Sequence, residues 1–251
     1  MHNIKDLDGY LRRMQNGMDD KLWWIKHIDS RIIVDYGCAD GALLQHIREL
    51  HPNHNLIGVD INPNMLEIAR ANVPDAIFMT VEEFFNCKYD FSNATLILSS
   101  VIHEIYSYCN NADDIMDKLL NMDFEHIAIR DMFVKTDTTY QTVPIFIIDL
   151  LQKKTSKEML VDFGECWGLP VTAKRLIHYL LKYRYTDNWE REVRENYLPI
   201  DIEPFIHMVS KYYKVDYFEH YTFPFLKEQI RKDIGIELDL PTHAKILLSK
   251  R

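Results

Sequence analysis

Two acids and two glycines crowd one short stretch: Asp35, Gly37, Asp40 and Gly41 lie within RIIVDYGCADGALL, residues 31–44. The stretch opens on a β-branched run and closes on apolar residues at helical spacing, Leu43, Leu44, Ile47 and Leu50. A strand that turns on glycine into a helix is therefore predicted. Gly37 permits an unusual φ, and Gly41 permits a close approach to the backbone. Such a turn, with Tyr36 at its entry, aims N–H groups into the crevice beyond the strand ends, where open α/β sheets take their ligands. A pyrophosphate would favour Gly-x-Gly-x-x-Gly, but Gly37, Ala39 and Ala42 occupy those places. Asp35 and Asp40 would repel a pyrophosphate and attract a cofactor carrying an ammonium and a sulfonium. A third acid, Asp60, ends NLIGVD. It lies about 20 residues beyond the turn, where a carboxylate can hold vicinal ribose hydroxyls.

These residues need a scaffold, and the chain supplies the pattern of one. Strand-like runs fall at 31–36, 55–60, 76–80, 94–99 and 126–133, with helical stretches between them from 42, 63, 101 and 113. The runs are continuously apolar, as in strands covered on both faces. The fold class expected is α/β: a doubly wound, mostly parallel seven-stranded sheet with an antiparallel terminal strand, plus a helical cap insertion. Residues 1–133, with an N-terminal helical segment at 1–30, and residues 200–251 make the core. Strands at 214–222 and 242–249 complete the sheet, and 134–199 is the mainly helical cap.

VDYGCADG, GVDINPNMLEIAR and ATLILSS resemble the landmarks of class I, Rossmann-like, S-adenosylmethionine-dependent methyltransferases. The resemblance implies S-adenosyl-L-methionine as cofactor and S-adenosyl-L-homocysteine as product. It implies that the glycine turn touches the methionine part, that Asp60 and its neighbour Ile61 face the ribose, and that Thr80, Val81 and Glu82 flank the adenine. Ser99 and Ser100, after the fourth strand, would close the seat. The family's fuller glycine pattern is interrupted by Ala39, and Val81 and Glu82 stand where an acid often follows strand three.

SSVIHEIYSY follows that strand, at the place where the family keeps its reactive methyl. The Asn/Asp-Pro-Pro-Tyr/Phe and Pro-Cys signatures of nucleic-acid base methylation are absent here, which points toward O- or N-methylation of a small molecule. His103 is the candidate general base, with Glu104 as its partner or substitute. Arg130 and Asp131, at the end of strand five, are further candidates for the catalytic edge. In the cap, Arg184, Tyr185 and Trp189 are candidate acceptor contacts, since aromatics interleaved with arginines can stack on and hold a ring. The same residues at helical spacing could instead pack the cap on the core, with Arg191 and Arg194 paired to Glu190 and Glu195.

The chain has 251 residues and a net charge of −9. Residues 172–251 carry 14 basic and 12 acidic side chains, so the acid excess lies upstream. That is no footprint for bulk nucleic-acid binding, although a local RNA contact stays open. Four cysteines form no CxxC pair and are expected as buried free thiols. Eleven histidines are scattered without a ligand motif, so no metal is expected. No run is long enough to span a membrane and no secretory leader is evident, so a cytoplasmic location is expected. Three functions remain distinguishable: a small-molecule methyltransferase, a tRNA-type RNA methyltransferase, and a catalytically silent cofactor-binding module. The sequence is silent on the acceptor and on oligomeric state.

Overall fold

The computed structural model describes residues 17–251. The first part of the expected N-terminal helical segment lies outside them. The rest of that segment holds a single-turn helix, α1 (Met18–Lys21), and a 3-10 turn at Trp23–His27.

The sheet has seven strands: β1 (Ile32–Tyr36), β2 (Asn55–Asp60), β3 (Ile77–Thr80), β4 (Ala94–Ser99), β5 (His126–Met132), β6 (Tyr213–Tyr221) and β7 (His243–Lys250). Their order is β3-β2-β1-β4-β5-β7-β6. Strands β1 to β5 run parallel, while β7 runs antiparallel between β5 and β6. Successive side chains leave opposite faces, so each central strand feeds two cores. Val34, Ile57, Leu96, Leu98 and Ile129 pack under α5 (Ile102–Tyr108), α6 (Ala112–Leu120) and α11 (Ile202–Val209). Ile33, Leu56, Ile97 and Ala128 pack under α2 (Ala42–Leu50), α3 (Pro63–Asn72) and the N-terminal turn that carries Trp24.

Two local differences from the expected pattern have physical reasons. The alternation of β6 fails after Val215 because the register shifts between Val215 and Tyr217, an irregularity that leaves Asp216 without a partner strand residue. Residues 81–86 form a helix, α4 (Val81–Asn86), closed by a reciprocal capping box between Thr80 and Glu83. That short helix was not anticipated from the sequence.

Residues 134–199 hold α7 (Ile145–Lys154), α8 (Lys157–Trp167), α9 (Ala173–Leu180) and α10 (Trp189–Glu192), with one isolated bridge between Thr142 and Thr172. Leu151, Phe163, Ile177 and Tyr179 form a third core with Ile230 and Ile234, from α12 (Pro224–Asp233) and the residue after it. Cys38 is buried, Cys87 and Cys109 are half-buried, and Cys166 is exposed, so the expectation of four buried thiols holds only for the first. Among the described residues, no helix is long and apolar enough to cross a membrane.

Candidate active site

The β1–α2 turn is folded tightly against β2. The N–H groups of Gly37 and Cys38 both donate to the Val59 carbonyl, at 2.7 and 3.0 Å. Gly37 sits at φ 84°, and a Cβ there would lie 2.6 Å from Val101 Cγ2. Both backbone conformation and space therefore require glycine. Ala39 takes φ 45° without that freedom, so the place where the family pattern lapses is a strained one. Gly41, at φ 77°, lets the turn close on α3, where a Cβ would meet the Ala69 Cβ at 3.1 Å.

Asp60 fastens the turn from the neighbouring strand. Its Oδ2 accepts the Ala39 N–H at 2.9 Å and its Oδ1 accepts the Asn62 N–H at 2.8 Å. The Ile61 N–H also serves this carboxylate, which keeps acceptor capacity for a ligand. Burial pushes its carboxyl up, against the pull of those N–H groups. Asp35 is buried and pushed up to about 7, first by burial, then by Asp60 and Asp40, with Lys21 opposing. The Asp40 Oδ1 caps the Ala42 N–H at 3.2 Å. Tyr36 lies buried against Phe84 and Phe85.

A cavity of about 30 Å³ opens beside this turn, walled by Asp35, Gly37, Asp40 and Ser99 and covered by Met18 and Lys21 of α1. The Ser99 Oγ is buried and has no hydrogen-bond partner. A buried hydroxyl left unsatisfied marks a place where a ligand's polar group belongs. Acids on one wall and a lysine on the other suit the ammonium and carboxylate of a methionine-like end. Lys21, lowered to about 8 chiefly by burial, was not singled out in the sequence, where no motif marks it. Further along the edge, Ile61 is 74 % exposed, an apolar face beside Asp60. Thr80 caps α4, Val81 is half-buried and Glu82 is exposed.

The catalytic candidates of the β4–β5 edge meet in one buried chain. The His103 Nδ1 lies 2.7 Å from Asp131 Oδ1, and its Nε2 lies 3.2 Å from Glu195 Oε1. Burial alone would lower this imidazole, but Asp131 and Glu195 together hold it well above its usual value. Asp131 also accepts the Ile102 N–H at 2.7 Å, capping α5. The Arg191 Nη2 bridges Glu104 Oε1 at 3.1 Å and Glu195 Oε2 at 3.3 Å, and Tyr108 donates to Glu195. Glu104 is pushed up to about 7 by desolvation and by Glu195. His103, Glu104 and Glu195 bring metal-ligand atoms within 4.8 Å of one another. No ligand motif announces this grouping, because Glu195 stands far along the chain, on the cap. Arg191 already answers both carboxylates.

Arg130 points away from this chain. Its Nε reaches Asp20 Oδ2 at 2.9 Å, and its Nη1 donates to Ser100 Oγ at 2.6 Å. Ser100 itself sits at φ 57°. The three cap candidates stay within the cap and its neighbour. The Trp189 Nε1 donates to Asp162 at 2.9 Å, Arg184 lies 3.6 Å from Asp233, and Tyr185 is half-buried. None of them lines the cavity beside Gly37.

Residues 33–122 match the family model described as a methyltransferase domain. The malonyl-[acyl-carrier protein] O-methyltransferase of Acetivibrio thermocellus is 34% identical over 103 residues. Those residues cover 37% of this chain and 36% of that protein, so the chain spans little more than a third of the curated relative's length. A SAM-dependent methyltransferase structure from Anabaena variabilis superposes with a TM-score of 0.56 at 10% identity, over 95% of this chain and 85% of that one. The plantazolicin methyltransferase BamL, in complex with a triazolic desmethylPZN analog and SAH, gives 0.53 at 12% identity, over 96% and 85%. With its acid-flanked glycine turn and a β7 inserted antiparallel beside β5, the chain has the class I, Rossmann-like fold of S-adenosylmethionine-dependent methyltransferases, and its residues 33–122 are similar to their methyltransferase domain.

Proposed function

We propose that this protein transfers a methyl group from S-adenosylmethionine to an oxygen or nitrogen of a small acceptor, beneath the helical stretch 134–199. One observation carries the reading: the β1–α2 turn has Asp35 and Asp40 on the wall of a cavity, Asp60 clasping it, and Ser99, whose buried hydroxyl has no hydrogen-bond partner, lining the same cavity. The cofactor, when bound, supplies a methyl made electrophilic by a sulfonium. The rest is the work of this chain's residues. Asp60 holds the ribose hydroxyls with its remaining acceptor capacity, and Ile61 offers the adenine an apolar face. Asp35 and Asp40 answer the cofactor's positive charge, while Lys21 answers its carboxylate.

At the transfer end, positioning dominates. His103 has both ring nitrogens engaged by acids, so its role in this reading is to fix the start of α5 and the cap, not to act as a free base. Glu104, pushed up to about 7, has the basicity suited to taking a proton from a hydroxyl or amine. The O-methyltransferase relative supports an oxygen acceptor, and the SAH complex of a similar fold supports the cofactor.

Calorimetry with S-adenosylhomocysteine tests the reading. Low-micromolar binding is expected, and Asp60→Ala should weaken it more than tenfold, since it removes two charge-assisted contacts of about 1.5–3 kcal/mol each. Wild-type protein that gives no heat with this ligand overturns the proposal.

A further inference from the structure

Asp20, on α1, is the best-served carboxylate near the cavity. Its Oδ2 receives the Arg130 Nε at 2.9 Å and the Tyr221 hydroxyl at 2.6 Å, and its Oδ1 lies 2.7 Å from the Lys245 Nζ. The three donors come from β5, β6 and β7, neighbouring strands of the sheet, so their backbone positions do not depend on α1. Phe223 backs the group, its ring 4.7 Å from the Arg130 Cζ. Asp20 comes from a different kind of element, a helix of four residues. So short a helix has little stability of its own.

The charges count to one carboxylate. Arg130 and Lys245 bring two positive charges, and Glu219, 3.5 Å from the Lys245 Nζ, cancels one. One seated carboxylate makes the group neutral, and without it a half-buried positive charge stands uncompensated. The seat also adjoins the reaction edge. The Arg130 Nη1 donates to Ser100 Oγ at 2.6 Å, and Ser99, the preceding residue, walls the cavity that Lys21 covers.

We propose that Arg130, Lys245 and Tyr221 form a carboxylate-binding subsite for the methyl acceptor, and that Asp20 fills it from within until an acidic acceptor takes its place. This rests on the methyltransferase reading for its purpose, but not for its chemistry. The acceptor is then a small carboxylic acid, and α1 is both cover and stand-in. Withdrawal of Asp20 also shifts Lys21 and Met18, which links acceptor binding to access to the cavity beside Gly37.

The test titrates glutarate into full-length protein by calorimetry, with and without saturating S-adenosylhomocysteine. Asp20→Ala should bind glutarate at least tenfold more tightly than wild type, and Arg130→Met added to it should abolish the gain. Inorganic phosphate, which lacks the planar carboxylate that Asp20 presents to Arg130, Tyr221 and Lys245, should bind more weakly than glutarate. A folded Asp20→Ala protein with wild-type glutarate affinity overturns the proposal, as does phosphate outcompeting glutarate. Hydrogen exchange of residues 18–22 in the wild type gives a check free of any variant. Saturating glutarate should speed it several-fold, and unchanged exchange overturns the idea. If glutarate binds but S-adenosylhomocysteine does not, the cofactor reading falls while the carboxylate subsite stands.

Discussion

The crevice at β1–β2 and the junction between the cap and α5 are built by opposite means. At the crevice, nearly every contact that shapes the turn is made by backbone: the Gly37 and Cys38 N–H groups on Val59, and the Ala39 and Asn62 N–H groups on Asp60. At the junction, side chains from distant parts of the chain meet as ions: Asp131 from β5, His103 and Glu104 from α5, Arg191 and Glu195 from the cap. Backbone geometry tolerates few residue types but asks little of the rest of the chain. An ion chain tolerates many backbones but demands every partner at once, because one buried charge left alone costs several kcal/mol.

The contrast is broken most severely at Gly37. Gly37→Ala forces a side chain into a left-handed conformation and against Val101. It should destabilise the protein by about 4 kcal/mol, strain and overpacking combined, and abolish S-adenosylhomocysteine binding. Urea unfolding and calorimetry measure the two effects. Glu195→Gln probes the other side and should cost about 3 kcal/mol, the loss expected when one partner of a buried ion pair goes. Its signature is in the pH profile. His103 is held above its usual value in the folded protein, so the stability it contributes is present at low pH and is lost as pH rises through the folded value. Without Glu195 the folded value falls, so the loss should be smaller and complete at lower pH, which urea midpoints between pH 5 and pH 9 would reveal. The smallest effect sharpens the picture at the turn. Ala39→Gly relieves a positive φ, worth about 1 kcal/mol, but adds freedom to the unfolded chain. A net gain of about 0.5 kcal/mol is expected, read as a higher urea midpoint.

The same division explains what could be read without a structure. The crevice was legible because glycine, a strand-end acid and helix spacing are local signals: residues 31–44 and 55–60 state their own geometry. The sheet followed from continuous apolar runs, and the antiparallel β7 from the family pattern. The capping box at Thr80 and Glu83 is also a local signal, and it lay hidden inside a stretch read as an adenine contact. Glu195, Lys21 and Asp20 were out of reach. Each acquires its meaning from partners far along the chain, such as Arg130 for Asp20, and no spacing rule joins them. Arg191 was placed with its own helix neighbours, and the i,i+4 pair with Glu195 is there. Its second arm, to Glu104, crosses between cap and core and decides what the pair does.

The position of β7 sets an order of events for folding. Strand β6 touches the sheet only through β7, which is later in sequence. While the chain is being made, residues 213–221 therefore wait as an open edge, with Tyr213, Tyr217 and Tyr221 exposed to chance pairing. The sheet is complete only once His243–Lys250 has paired with both β5 and β6. That pairing also brings Lys245 to its place beside Arg130, so the basic grip on Asp20 of α1 is completed only after the whole sheet is shut.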